Sequence, residues 1–381
     1  MINKDLQTEL QRCIGCKTSP CAKACPLGVS PHDFIAHAIK KDYTTASNII
    51  RDKNPLAQTC GLVCPDTFCQ KACIRGKIDT PINIPCLQAN IVALTPNAPL
   101  QLPPHNGKKI AIIGGGPAGL GSCWELIKNG YHVTIFEKHS KLGGAARLIP
   151  DYRLPKEILD SEISYITDNN LVDVKLNHEI SDFDELKKDF DNIVLALGEQ
   201  TPNLLRTSGE ELATPYKTVL ETPDLHVSSK VCIVGGGEVA LDCALSLKKL
   251  GTNTVEMFVR RRKTDMRIMK RDFEDLEKHN IIIRELTSII NITKEEDNTL
   301  TLTAINNEIN SENKASALSN TEHTLKGYNK IITALGSSCS PHHKNLPFLA
   351  SGDMLGTCGT VVEALASGIK TAKELINGEV L

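Results

Sequence analysis

Nine of the fourteen cysteines in this 381-residue chain fall between Cys13 and Cys86. The first four form C-x2-C-x4-C-x3-C followed by Pro26. The next four, Cys60, Cys64, Cys69 and Cys73, sit in "TCGLVCPDTFCQKAC". A segment of this length with few aromatics buries little surface, so bound metal is expected to supply stability that its core lacks. The opening "MINKDLQTELQRC" lacks the apolar stretch of a signal peptide. That predicts a cytoplasmic protein, in which thiols stay reduced and a disulfide framework is not the expected use of these cysteines. The remaining five, Cys123, Cys232, Cys243, Cys339 and Cys358, are scattered and read as small buried hydrophobes.

Two metal chemistries compete for the cluster. C-x2-C is half of a zinc site, but zinc asks for two such pairs, and the x4 and x3 spacings do not supply the second. In two-cluster ferredoxins, three close cysteines bind one iron–sulfur cluster, while a fourth, just before Pro, serves its neighbour. The Pro after Cys25 and the Pro after Cys64 follow that logic, which favours iron–sulfur over zinc. Local signals also predict a helix from Pro31. Ser30 stands at its N-cap, Asp33 completes a capping box, and Phe34, Ile35, Ala38 and Ile39 form one apolar stripe.

A Pro-rich stretch from Leu94 to Gly107 leads into "KKIAIIGGGPAGLGSCWELIKNGYHVTIFEK", which reads as strand, glycine turn, helix, strand. A second unit of the same design begins at "SKVCIVGGGEVALDCALSLKKLG". Between Asn291 and Lys326 the chain is polar and partly alternating, which predicts an exposed hairpin. The end returns to strand and helix patterns. The expected fold class is α/β: a helical, cysteine-rich N-terminal domain, then two Rossmann-like dinucleotide-binding domains, the second inserted in the first. The expected boundaries are 1–90 for the first domain, 91–225 with 334–381 for the second, and 226–333 for the inserted one.

In the first glycine turn, Gly114, Gly115, Gly116, Pro117, Ala118 and Gly119 let a pyrophosphate approach a helix N-terminus. Glu137 ends the next strand, where an acid hydrogen-bonds a ribose hydroxyl. The second turn runs through Gly235, Gly236, Gly237, Glu238 and Ala240. There Val259 stands where the first unit has Glu137, and Arg260 follows. A 2′-phosphate asks for guanidinium donors, whereas a free 2′-hydroxyl asks for a carboxylate, so this turn is expected to take NADPH. The plain alternative is that "RRRK" is a solvated charge run. A nucleic-acid patch is not expected in a chain of net charge −2 without interleaved aromatics. No run approaches the roughly twenty apolar residues of a membrane span.

Taken together, these motifs resemble the N-terminal two-cluster domain and both dinucleotide units of the dihydropyrimidine dehydrogenases, a design shared with the small subunit of bacterial glutamate synthase. The resemblance implies that Cys13, Cys16, Cys21 and Cys73 hold one 4Fe–4S cluster. Cys25, Cys64 and Cys69 would hold a second, with Gln88 in "PINIPCLQ" as its fourth ligand. Cys86 competes with Gln88, and the Cys64–Cys69 loop is one residue shorter than in that family. Cys60 aligns with a non-ligand and is read as packing. The resemblance also implies FAD contacts at Gly143, Gly144 and Arg153, then at Gly352, Asp353 and Thr360. It places Arg260, Arg261 and Arg267 on the NADPH 2′-phosphate.

The implied activity is hydride transfer from NADPH to FAD, then single electrons through the clusters to a partner protein, FMN-containing or ferredoxin-like. No catalytic acid or nucleophile is needed, and none is expected. The chain ends soon after the last flavin motif and starts close to Cys13. It therefore matches the electron-input half of the family, without the helical N-terminal extension of its relatives. A dihydropyrimidine dehydrogenase catalytic subunit is the expected acceptor, with a glutamate-synthase-type partner as alternative. A non-catalytic redox- or metal-responsive interaction protein is the reading from another class. A thioredoxin-reductase-like reading asks for C-x-x-C in the nucleotide domain, which Cys232 and Cys243 do not provide.

Overall fold

Caps and turns organise the first ninety residues into short helices, seen here in a computed structural model that describes residues 4–96, 98–198, 201–339, 347–356 and 359–378. They are α1 (Lys4–Gln11), α2 (Pro20–Lys23), α3 (Pro31–Ile39), α4 (Tyr43–Lys53), α5 (Ala57–Val63) and α6 (Ile84–Ala93). The Ser30 hydroxyl accepts the Asp33 N–H at 3.4 Å, the Asp42 carboxylate accepts that of Thr45 at 3.2 Å, and Asn83 caps α6 through Cys86. Leu10, Phe34, Ile35, Ile50, Leu87 and Ile91 form a buried apolar core, each contributing about 1.5–3 kcal/mol by burial. The segment thus has more core than its composition suggested. Ile39, expected on the apolar stripe, is 38% exposed. It is the last residue of α3, and the chain turns away at Lys41, whose φ is 63°.

Beyond the Pro-rich stretch, a five-stranded parallel sheet has the order β16 (Leu349–Ala350), β4 (Asn192–Leu195), β1 (Lys109–Ile113), β2 (His132–Phe136), β3 (Val172–Lys175). It carries α7 (Pro117–Ile127), α8 (Lys156–Thr167) and α12 (Val361–Ile376). A second five-stranded parallel sheet has the order β6 (Thr214–Pro215), β14 (Lys330–Thr333), β7 (Lys230–Val234), β8 (Thr254–Val259), β9 (Ile282–Glu285). Its helices are α9 (Tyr216–Glu221), α10 (Glu238–Lys249) and α11 (Lys270–Lys278), and β5 (Thr201–Pro202) pairs with β15 (Ser337–Ser338). The chain divides into two compact units. One comprises Met1–Arg147, Asp151–Gln200 and Cys339–Leu381; the other comprises Leu148–Pro150 and Thr201–Ser338. The cysteine-rich helices therefore share a unit with the first sheet.

The polar segment after Asn291 is not an exposed hairpin. β10 (Thr287–Lys294), β11 (Leu300–Ile309), β12 (Ala315–Ala317) and β13 (His323–Tyr328) form an antiparallel sheet. Leu302 and Ala304 of β11 are fully buried in one cluster with Cys232 and Phe258. Cys123, Cys232, Cys243 and Cys339 are buried, as their scatter suggested; Cys358 lies outside the described residues. No helix among the described residues is long and apolar enough to cross a membrane.

Candidate cofactor sites

The eight cysteines between Cys13 and Cys73 fall into two groups of thiols. Cys13, Cys16, Cys21 and Cys73 line one cavity walled by Pro31, Ile35, Ile82 and Ile84. Burial first, then Cys16 and Cys73, push the Cys13 thiol up; Cys21 is likewise raised, with Cys73 and Cys13 as neighbours. The second group is Cys25, Cys64, Cys69 and Cys60. Cys64 is hydrogen-bonded to Cys60, which stands one turn earlier on α5, and it faces Cys69 and Cys25. Burial pushes Cys69 up to about 12, with Cys25 and then Cys21 adding to it, so the two groups meet at Cys21 and Cys69. Among the described residues, no three His, Cys, Asp or Glu side chains converge as ligands of a single ion. Four thiols in a mainly apolar cavity, with His32 also on its wall, fit iron–sulfur ligation.

Gln88 and Cys86 lie on the same helix but in different surroundings. Gln88 is buried and donates its side-chain amide to the Ala57 carbonyl at 2.7 Å, which turns its amide group toward α5. Cys86 is exposed, and its sulfur accepts from Asn90 at 3.3 Å. Cys60, assigned to packing from the sequence, is indeed buried, yet it is also a direct neighbour of Cys64.

A residue the sequence did not single out anchors this helix. Glu162 of α8 accepts the Gln58 N–H at 2.6 Å and the Thr59 N–H at 2.9 Å, occupying the open N-terminus of α5. Its side chain is buried, and desolvation pushes the carboxyl up to about 7, against the pull of those two N–H groups and of Arg51. An unfolded Glu loses its proton near pH ~4.3. In the window above that, the folded chain holds the extra proton, so this contribution to stability is full at low pH and is lost as pH rises through 7. A Glu162→Gln variant is expected to lose that dependence, which amounts to about 4 kcal/mol across the window. Denaturant unfolding at pH 5, 6 and 7.5 checks this; parallel curves for variant and wild type would contradict it.

The first glycine turn is assembled from three separated segments. Gly114 adopts φ 108°, and the amino end of α7 has no side-chain cap. The Gly143 N–H donates to the Gly115 carbonyl at 2.7 Å, and a Cβ on Gly144 would lie 2.8 Å from the Cα of Gly116. A Cβ on Gly352 would meet that of Ala118 at 2.7 Å, so only glycine permits this approach. Pro117 opens α7 and Gly119 packs on Gly114. The Glu137 carboxylate accepts the Gly115 N–H at 2.9 Å and the His139 N–H at 2.9 Å and is 6% exposed, so it is not an ordinary surface acid. Asp353 is raised by burial and by Glu363, and Thr360 caps α12 through the Glu363 N–H. Arg153 stands half-buried in the turn before α8. An uncapped helix N-terminus facing a backbone cradle fits the pyrophosphate of a dinucleotide.

The second turn repeats this geometry with one change. Gly235 adopts φ 148°, Gly237 precedes the uncapped start of α10, Glu238 is its first residue, and Ala240 is fully buried. Where Glu137 reaches Gly115, Val259 closes on Gly236: a Cβ there would lie 2.7 Å from Val259. The Arg267 N–H donates to the Gly236 carbonyl at 3.2 Å, which fixes Arg267 beside the turn. The arginine run divides. Arg262 is engaged by Asp265 at 2.9 Å and Asn313 at 3.3 Å, and Lys263 by Glu277 at 3.1 Å. Arg260, Arg261 and Arg267 make no ion pair among the described residues. The backbone of that loop is held by Asn307 of β11, which donates to the Arg260 carbonyl at 3.1 Å, and by Leu286, between β9 and β10, which donates to that of Arg261 at 3.0 Å.

Residues 108–318 match the profile of the pyridine nucleotide-disulphide oxidoreductases, and residues 1–97 match that of dihydropyrimidine dehydrogenase domain II, 4Fe-4S cluster. The chain belongs to the pyridine nucleotide-disulphide oxidoreductase family. It is an oxidoreductase built for iron–sulfur, FAD and NAD(P)H chemistry. It is 34% identical over 279 residues to the NAD-dependent dihydropyrimidine dehydrogenase subunit PreT of Salmonella typhimurium, covering 70% of this chain and 67% of that protein. With the NADP(+)-dependent formate dehydrogenase subunit beta of Moorella thermoacetica it shares 30% identity over 319 residues, 74% of this chain and 45% of that one. The fold is that of FprA from Mycobacterium tuberculosis, solved in complex with NADPH. The TM-score is 0.60 at 17% identity, over 71% of this chain and 84% of that chain.

Proposed function

We propose that this family member is an electron-input subunit that oxidises NADPH and passes electrons singly to a separate acceptor protein. The observation that carries the reading is that a ring of four thiols and the Glu137 glycine turn belong to one compact unit. FAD supplies the two-electron to one-electron conversion, and two 4Fe–4S clusters supply the single-electron steps. The chain's own residues bind and orient. Gly114–Gly119 with Gly143, Gly144, Arg153, Gly352, Asp353 and Thr360 hold FAD, and Glu137 holds its ribose. Gly235–Ala240 with Arg260, Arg261 and Arg267 hold NADPH. Cys13, Cys16, Cys21 and Cys73 ligate one cluster; Cys25, Cys64, Cys69 and Gln88 ligate the other. Burial of Gln88 beside α5 supports it over the exposed Cys86.

The acceptor we favour is a dihydropyrimidine dehydrogenase catalytic subunit, in keeping with the similarity to PreT; a glutamate-synthase-type partner is the alternative. The name of PreT also raises a second reading for the donor, NADH. The test is anaerobic: the reconstituted holoprotein is mixed with NADPH or NADH and flavin absorbance is followed. Faster bleaching by NADPH is expected. Faster bleaching by NADH would overturn the nucleotide assignment, and no bleaching by either would overturn the function.

A further inference from the structure

The cavity ringed by Cys13, Cys16, Cys21 and Cys73 does not lie deep in the fold. Beside Cys73 and Ile74 the surface opens into a depression of about 510 Å³, also lined by Lys71, Lys77, Thr18 and Pro20. Ile14, which lines the thiol cavity, is 47% exposed, and Ile78 is 64% exposed. Bare isoleucines beside a redox site mark a contact surface more than a solvated one.

The charged side chains that line the thiol cavity and this depression, Arg75, Lys71 and Lys77, are all basic. Arg12, Lys17 and Lys23 are the only charged residues from Arg12 to Cys25, and Lys71, Arg75 and Lys77 the only ones from Lys71 to Lys77. The neighbouring acids are neutralised from within: Glu9 is held by Arg12 at 2.6 Å, and Asp79 by Arg12 at 3.1 Å and Arg75 at 2.7 Å. Asp66 precedes the rim and offers its backbone carbonyl to Lys71. Lys17, Lys71 and Lys77 are exposed and form no ion pair among the described residues. The chain as a whole carries −2, so this cationic, partly apolar face opposes the net charge of the molecule.

We propose that this face docks an acidic one-electron carrier protein, held by Lys71 and Lys77 at the depression and by Lys17 next to Cys16, with the exposed Ile14 and Ile78 as its apolar contacts. The inference rests on the electron-input reading and names the chemistry of the partner. Opposed fields steer encounter and orient the pair, while the small apolar centre allows rapid release, as electron-transfer encounters require. In the transfer, one electron leaves the reduced protein and one acceptor centre is reduced by one electron, with no bond made or broken.

The test uses holoprotein and a Lys17→Glu, Lys71→Glu, Lys77→Glu triple variant, with acidic cytochrome b5 and basic cytochrome c as probes. Binding of the oxidised proteins is measured by titration calorimetry. Electron transfer is measured by stopped-flow from dithionite-reduced holoprotein, in which one ferric haem becomes ferrous per electron. This removes the nucleotide step, so failure of NADPH to bleach the flavin leaves the docking test intact. Wild type is expected to bind and reduce cytochrome b5 faster at low salt, with the rate falling about tenfold or more in the variant. The same variant is expected to reduce cytochrome c no more slowly. A cytochrome b5 rate and affinity indifferent to both salt and the variant would overturn the proposal. So would a wild-type dimer that the variant dissociates in sedimentation, which would give the face to a second copy of the chain.

Discussion

In a Cys25→Ala variant, bound iron is expected to fall to about half of the wild-type content while flavin content is unchanged. Cys25 lies close in sequence to Cys13, Cys16 and Cys21, yet its thiol faces Cys60 and is sensed by Cys64 and Cys69. The cavity lined by Cys13, Cys16, Cys21 and Cys73 does not include it. Removing it should therefore empty one cluster site and leave the other. Iron and sulfide analysis together with paramagnetic resonance of the reduced protein give the readout. A variant that retains full iron, or one that loses all of it, would break the division of the thiols into two groups.

The second large effect concerns nucleotide choice. A Val259→Glu, Arg260→Ala variant is expected to lose about a hundredfold in kcat/KM with NADPH and to gain with NADH. The replaced guanidinium removes charge-assisted hydrogen bonds to a 2′-phosphate, each of about 1.5–3 kcal/mol. The new carboxylate would stand toward Gly236 as Glu137 stands toward Gly115, where it accepts an N–H at 2.9 Å. Such a carboxylate favours a free ribose hydroxyl and repels a phosphate. Steady-state kinetics with both nucleotides check this, and an unchanged preference would remove the arginines from the specificity argument.

The parts of the site that could be read from the chain are those whose chemistry is local. A glycine at a left-handed φ and an acid at a strand end are fixed by backbone geometry within one βαβ unit. Gly114, Gly235 and Glu137 therefore stand where their spacing put them. Ser30 likewise caps α3 as expected, because capping involves residues three apart. Ile39 and Leu302 went the other way. Ile39 had the right spacing but sits at the helix end, and Leu302 had a polar neighbourhood but faces Cys232 and Phe258 across another sheet.

Glu162 gives the clearest case of information held only by the folded chain. A glutamate in the middle of an ordinary amphipathic helix carries no signal, and its partners, the N–H groups of Gln58 and Thr59, are over a hundred residues away. The sequence likewise could not tell which residues of "RRRK" are engaged: Asp265 is a local partner of Arg262, but Asn313 reaches Arg262 and Glu277 reaches Lys263 only once the chain has folded. By itself, then, the sequence determined the cofactor chemistry, since ligand type and glycine spacing are properties of neighbouring residues. The tertiary structure alone decided which charges stay unpaired, which thiols share a cavity and which carboxylate anchors α5. Burial and long-range pairing set those outcomes, and neither exists until the chain has folded.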